Sequence, residues 1–243
     1  DPRLHGNTAL SLGEAKRLYT AISKANVMMK IPATPQSYEV MSALMSDGIS
    51  VNATLIFSLA QAKACFDALN SGLKAFRAKN ANALKGGNLR EPQGVISVFV
   101  SRFDRLLNTK VLAKNEVGIL NASLCYHHIH AQNEQNIRTL FASTGVKGDD
   151  LPKDYYIGEL LFDNSINTAP MDALRAFKGG VICENGLREN GAKFKTPLSE
   201  SEIHTKLRAN LSDDELENAC KFLLDEGLKQ FCVAFEEILR ALR

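Results

Sequence analysis

A lysine stands inside an apolar run, Val27-Met28-Met29-Lys30-Ile31-Pro32. An ammonium is costly to take out of water, and desolvation lowers a lysine's pKa. The neutral amine so produced is the form that adds to a carbonyl carbon. The same run also suits a lysine whose stem packs while its head reaches water. A second pair, Asn52 and Thr54, lies two apart in the apolar stretch 50–57. On a strand both point to one side. Buried polar groups need partners, and a sugar's hydroxyls, a held water or a neighbouring strand would each serve.

Two further groups suit an anion. Ser97, Phe99 and Arg102 close the run from Gly94 to Arg102, and Ser97 and Phe99 share a strand face. Arg102 falls where a helix begins, so amides and a guanidinium would converge on a phosphate there. An ion pair with Asp104 is the plainer alternative. Ser143-Thr144-Gly145-Val146-Lys147 combines small hydroxyl residues, a glycine and a cation. Such a turn aims backbone amides at an anion, or is simply a turn. It is not the G-x-x-x-x-G-K-[ST] phosphate loop. His127, His128 and His130 lack an acidic or cysteine ligand at metal-site spacing, and read as a solvated helix face.

The elements that must position these residues alternate. Helical periodicity marks 9–24, with Leu12, Ala15, Leu18, Tyr19 and Ile22 on one face. A strand over 27–32, buried on both faces, follows. Thr34 and Pro35 start a helix that Asp47-Gly48 ends. Strands are expected at 50–57, 94–100, 138–142 and 165–168. Helices are expected at 58–70, from near Arg102, at 115–134, from Met171 and over 213–243, where Gly227 is a candidate break. Loops are expected at 79–87 and 179–200. Alternating strands and helices predict a parallel sheet, an α/β fold. No G-x-G-x-x-G follows a strand, which argues against a dinucleotide fold. In a (β/α) barrel, chemistry gathers at the carboxyl ends of the strands, where these polar residues fall.

Composition narrows the classes. The 243 residues are 45% hydrophobic, which supports a large core rather than disorder. The net charge of +2 favours neither a nucleic-acid nor a membrane surface. Five cysteines without a C-x-x-C read as reduced thiols of a cytoplasmic protein. No run approaches a membrane span, and no signal peptide is visible. The sequence begins at Asp1 rather than Met, and a longer natural product is expected.

In order, these segments resemble the transaldolases. Asn26 to Thr34 with Asp47 to Ser58 is similar to their paired fourth and fifth strands, and Val95 to Arg102 to their sixth. Phe141 to Lys147 resembles the seventh, Ile166 to Pro170 the eighth, and the last thirty or so residues the closing helices. The resemblance implies a (β/α)8 TIM barrel, with residues 1–243 as one barrel domain that covers about strands 4 to 8 and the C-terminal helices. The first three strands, with an aspartate and a glutamate of the family's site, would then precede Asp1. It also implies transfer of a dihydroxyacetone unit between sugar phosphates in the pentose phosphate pathway, with no metal or organic cofactor. Lys30 would form the Schiff base, and Thr54 would hold a proton-relaying water. Asn52 and Ser97 would bind substrate, and Phe99 would line the pocket. Arg102 and Ser143 would take the phosphate. Gly145 stands where some members carry an arginine, so Lys147 would supply that charge. The alternatives are a Schiff-base aldolase without transfer and an inactive sugar-phosphate binder. A homo-oligomer is left open.

Overall fold

The computed structural model describes residues 1–87, 89–177 and 194–242. Cys183 and most of the loop expected at 179–200 lie outside them. A 3-10 turn, Pro2–Leu4, precedes α1 (Thr8–Ile22). Then come β1 (Met29–Pro32), α2 (Pro35–Ser46), β2 (Val51–Ile56), α3 (Leu59–Lys79) and α4 (Ala81–Lys85). They are followed by β3 (Gly94–Phe99), α5 (Ser101–Leu107), α6 (Val117–Ala131) and β4 (Ile137–Ala142). The remaining elements are α7 (Tyr155–Glu159), β5 (Ile166–Asn167), α8 (Met171–Ala176), α9 (Glu200–Asn210) and α10 (Asp213–Ala241).

The five strands form one parallel sheet in chain order, β1-β2-β3-β4-β5. This is the α/β architecture expected of alternating strands and helices. Each face has its own apolar cluster. Met29, Ile31, Val51, Ala53, Ile96, Val98 and Phe141 point to one face, under α1, α2, α3 and α6. Val95, Phe99, Leu140 and Ala142 point to the other, where Leu207 of α9 and Cys220 and Leu223 of α10 cover them.

Several boundaries differ from expectation. β1 is not buried on both faces: it is the sheet's edge, with Lys30 exposed and Pro32 half-buried. Thr34 makes no side-chain bond to a helix amide; its hydroxyl meets Ser37 Oγ at 2.8 Å and donates to the His5 carbonyl at 3.2 Å. α3 runs on to Lys79, because Leu69, Gly72, Leu73 and Phe76 continue its buried stripe. The stretch 79–87 contains α4 rather than loop alone. α7 and α9 had no counterpart in the sequence reading. Gly227 does not break α10, which is continuous through it.

The reason for Gly227 is close packing. A Cβ there would sit 2.8 Å from Leu55 Cδ2 and 3.6 Å from Arg102 Nη1. Leu55 itself takes the left-handed conformation, φ +59°, where the register of β2 against β3 shifts between Ala53 and Ile56. That irregularity turns both Leu55 and Phe57 toward α10. At 29 residues α10 is about 43 Å long at the standard rise. It passes from Phe57, whose carbonyl accepts from Cys220 Sγ at 3.0 Å, to the N-terminal turn, where Arg3 lies 5.2 Å over the Phe235 ring. Among the described residues, no helix is long and apolar enough to cross a membrane.

Candidate active site

Register builds the site. Lys30 pairs with Asn52 across β1 and β2, and Asn52 with Val95 across β2 and β3. Residues paired in parallel strands point to the same face, as do residues two apart along one strand. Lys30, Asn52, Thr54, Ser97 and Phe99 therefore share the face that α10 covers. Ser97 donates to Asn52 Oδ1 at 2.7 Å. Asn52 thus has its carbonyl oxygen held by the next strand. Its amide nitrogen, with no protein acceptor among the described residues, is left to donate outward.

Thr54 lies two residues further along. It is 1% exposed, and its hydroxyl has no hydrogen-bond partner among the described residues. A buried hydroxyl without a partner costs about 1–3 kcal/mol. A cavity of about 440 Å³ is lined by Lys30 and Thr54 together with Pro32, Leu228 and Phe231. Lys30 is exposed as a whole residue, yet its surroundings are largely apolar, and desolvation lowers its pKa from the ordinary 10.5. Its Nζ lies 5.7 Å from the centre of the Phe231 ring.

Phe99 continues the same face. Its ring centre is 5.2 Å from that of Phe57, and Arg102 lies 5.3 Å above it. Arg102 stands in the first turn of α5, half-buried. It is not paired with Asp104. Asp104 is buried and accepts from Tyr156 Oη at 2.8 Å and from the Gly118 amide at 3.2 Å. Among the described residues Arg102 has no carboxylate partner, and desolvation, then the nearby Arg105, lowers its pKa. A guanidinium left without a counterion beside a strand end is suited to an anion from solution.

Ser143 follows β4 in the left-handed conformation, φ +57°. Ser101, the residue before Arg102, donates its amide to the Ser143 carbonyl at 3.0 Å, and the two hydroxyls are 3.1 Å apart. The strand end that carries Ser143 is thereby tied to the one that carries Arg102. An open hollow of about 370 Å³ is lined by Ser143, Thr144, Gly145 and Lys147. Lys147 is exposed and forms no ion pair among the described residues. Gly145 faces Pro170, whose Cγ would lie 3.1 Å from an added Cβ.

Of the predicted residues, Lys30 and Thr54 line the first cavity, and Ser143 and Lys147 the second hollow. Asn52 and Ser97 are bonded to each other on the same sheet face, and Arg102 lies over Phe99; these four line neither. Sequence reasoning missed Phe231 and Ser101. Phe231 falls on the apolar stripe of α10, but only the path of that helix shows that it lies over Lys30. Ser101 carried no signal apart from its place before Arg102.

The histidines do not form one solvated face. His127 is half-buried and bonds the Leu198 carbonyl at 2.7 Å. His128 is half-buried with its ring 6.3 Å from that of Phe66, while His130 is exposed and stacks on Tyr126 at 5.0 Å. Among the described residues, no group of three His, Cys, Asp or Glu side chains could hold a metal.

Comparison with known proteins places this geometry in context. Residues 1–242 match the family model described as transaldolase/fructose-6-phosphate aldolase. A transaldolase of Campylobacter jejuni subsp. jejuni serotype O:23/36 is 64% identical over 242 residues, covering 100% of this chain and 71% of that protein. A transaldolase of Helicobacter pylori strain P12 is 40% identical over 245 residues, covering 99% of this chain and 69% of its own.

Proposed function

The chain belongs to the transaldolase/fructose-6-phosphate aldolase family, and on that premise we propose that it is a transaldolase working through a Schiff base on Lys30. Lys30 set beside Asn52 by strand register, with the Asn52 oxygen held by Ser97, carries the reading. A lysine of lowered pKa stands next to a held amide that is free to donate.

The amine of Lys30 adds to the ketone of a donor such as sedoheptulose 7-phosphate or fructose 6-phosphate. Loss of water gives an iminium, which draws electrons from the neighbouring carbons. The bond between the third and fourth carbons breaks, and an aldose phosphate leaves. The remaining enamine attacks an acceptor aldehyde, and hydrolysis frees the lysine. Asn52 donates to the dihydroxyacetone hydroxyls. Thr54, whose buried hydroxyl meets no protein partner among the described residues, holds the water that carries protons between nitrogen and oxygen. Phe99 walls the pocket. Arg102, Ser143 and Lys147 take the phosphate, with Lys147 supplying charge where Gly145 cannot.

The five strands serve, in this reading, as the fourth to eighth of a (β/α)8 barrel, with residues 1–243 in one barrel domain. Arg102 and Ser143, just past the carboxyl ends of β3 and β4, stand where that architecture gathers its chemistry. The setting we infer is the pentose phosphate pathway in the cytoplasm, with sugar phosphates as partners. The test is borohydride reduction in the presence of fructose 6-phosphate, followed by peptide mass spectrometry. A dihydroxyacetone-derived adduct on Lys30 is the expected result; an unmodified Lys30 would reject the covalent route. Product analysis then separates transfer from simple cleavage: dihydroxyacetone accumulating despite an acceptor aldehyde would mean an aldolase.

A further inference from the structure

We propose that Phe231 of α10 covers the helix-facing side of the Lys30 amine and keeps water from the enamine on that side, so that the carbon unit passes to an acceptor instead of being released. The inference rests on the imine reading for Lys30. Leu228, Phe231, Phe235 and Ile238 all line the cavity at Lys30. Their spacing puts them on one face of a helix.

Phe231 is the member of that face placed against the reacting atom. Its ring centre is 5.7 Å from Lys30 Nζ, and it packs against the cluster that holds Phe57, Phe99 and Leu223. One ring therefore links the covering helix, the wall of the site and the nucleophile. A ring face at this distance also attracts the ammonium before reaction.

The chemistry at risk is specific. The enamine carbon can form a carbon–carbon bond to the acceptor's aldehyde carbon, whose oxygen then takes a proton. Alternatively the same enamine carbon takes a proton from water and becomes an iminium. Water adds to that iminium carbon, the carbon–nitrogen bond breaks, and dihydroxyacetone leaves with the lysine amine restored. Both courses consume the same intermediate, and access of water decides between them.

The experiment compares wild type with Phe231→Ala, Phe231→Leu and Phe231→Tyr in the full chain. The readout is the ratio of free dihydroxyacetone to transfer product from fructose 6-phosphate and an acceptor aldehyde phosphate. We expect the ratio to rise severalfold in F231A, to rise less in F231L, and to return to wild type in F231Y. A general loss of folding would lower both products together and leave the ratio unmoved. F231L keeps an apolar side chain, so it decides the question if F231A does not fold. An unchanged ratio in either folded variant overturns the role of Phe231. Absence of a borohydride-trapped adduct in wild type would instead overturn the imine reading beneath it.

Discussion

Lys30 and Thr54 occupy the same cavity but carry opposite costs. Lys30 suffers from losing water as a cation, so its folded pKa lies below the ordinary 10.5. The folded state then binds fewer protons than the unfolded one between those two values, and stability rises with pH across that window. Lys30→Met is expected to be more stable than wild type at neutral pH, the difference shrinking as pH climbs toward 10.5. Urea denaturation at several pH values checks this, and a difference that grows with pH contradicts the sign. Lys30→Arg should keep the fold and lose both turnover and the trapped adduct, because a guanidinium stays protonated. Thr54 pays for a hydroxyl with no protein partner. Thr54→Val removes that group at nearly equal volume, so stability should hold or rise by about 1 kcal/mol while turnover falls. A folded T54V with wild-type rate would remove Thr54 from the proton path. Lys30, Asn52 and Thr54 were legible because polar residues in apolar runs stand out. Phe231 was not, since an aromatic on an apolar stripe looks the same whether it faces a core or an amine.

At the scale of elements, the crossing of α2 and α3 sets how the first helical layer meets the sheet. Gly72 makes this crossing possible. A Cβ added there would overlap the Ser42 carbonyl and lie 2.6 Å from Met45 Cβ. Backbone cannot yield as a flexible side chain can. Gly72→Ala gains roughly 1 kcal/mol in helix propensity. The forced separation of two packed helices costs about 1–3 kcal/mol or more. Net destabilisation is expected, read as a lower denaturation midpoint with the denaturant slope unchanged; a stabilised variant would show that the helices slide apart freely. The strands were largely legible, since buried parallel strands make short apolar runs. Helix ends were less so. α9 opens on a capping box, Ser199 with Glu202, the pattern that also opens α10 at Ser212 and Glu215. That signal sat in the sequence, but the expected loop ended at 200 and no element was assigned between it and the helix at 213. The left-handed Leu55 had no signal, because a leucine there is dictated by packing under α10 rather than by local preference.

Across the whole molecule, the two ends of the sheet are specialised. The carboxyl ends of β2, β3 and β4 lead to Phe57, Arg102 and Ser143. The opposite end is tied by charge. Arg77 of α3 meets Glu91, before β3, and Glu134, before β4, each at 2.7 Å. Asn136 adds a short hydrogen bond to Glu91. No spacing rule in the sequence joins residues 77, 91 and 134; three separate connections must be folded before they meet. Arg77 holds both carboxyls below the ordinary 4.5, chiefly through its hydrogen bonds. A carboxylate with a depressed folded pKa adds stability that is fully present above its unfolded pKa and is lost as pH falls through the folded value. The partners are partly exposed, so solvent screens them, and a network of this kind contributes about 1 kcal/mol. Arg77→Met should therefore be less stable than wild type by about that amount near pH 7, with the gap narrowing in high salt. Below pH 4.5 the gap should also close, as both carboxyls take up protons in wild type. Transfer activity at saturating substrate should be unchanged at pH 7, since none of Arg77, Glu91 and Glu134 lines the cavity at Lys30. A loss of activity in folded R77M would instead mean that register set at this end is transmitted along β3 to Ser97, where it would misplace the oxygen that holds Asn52.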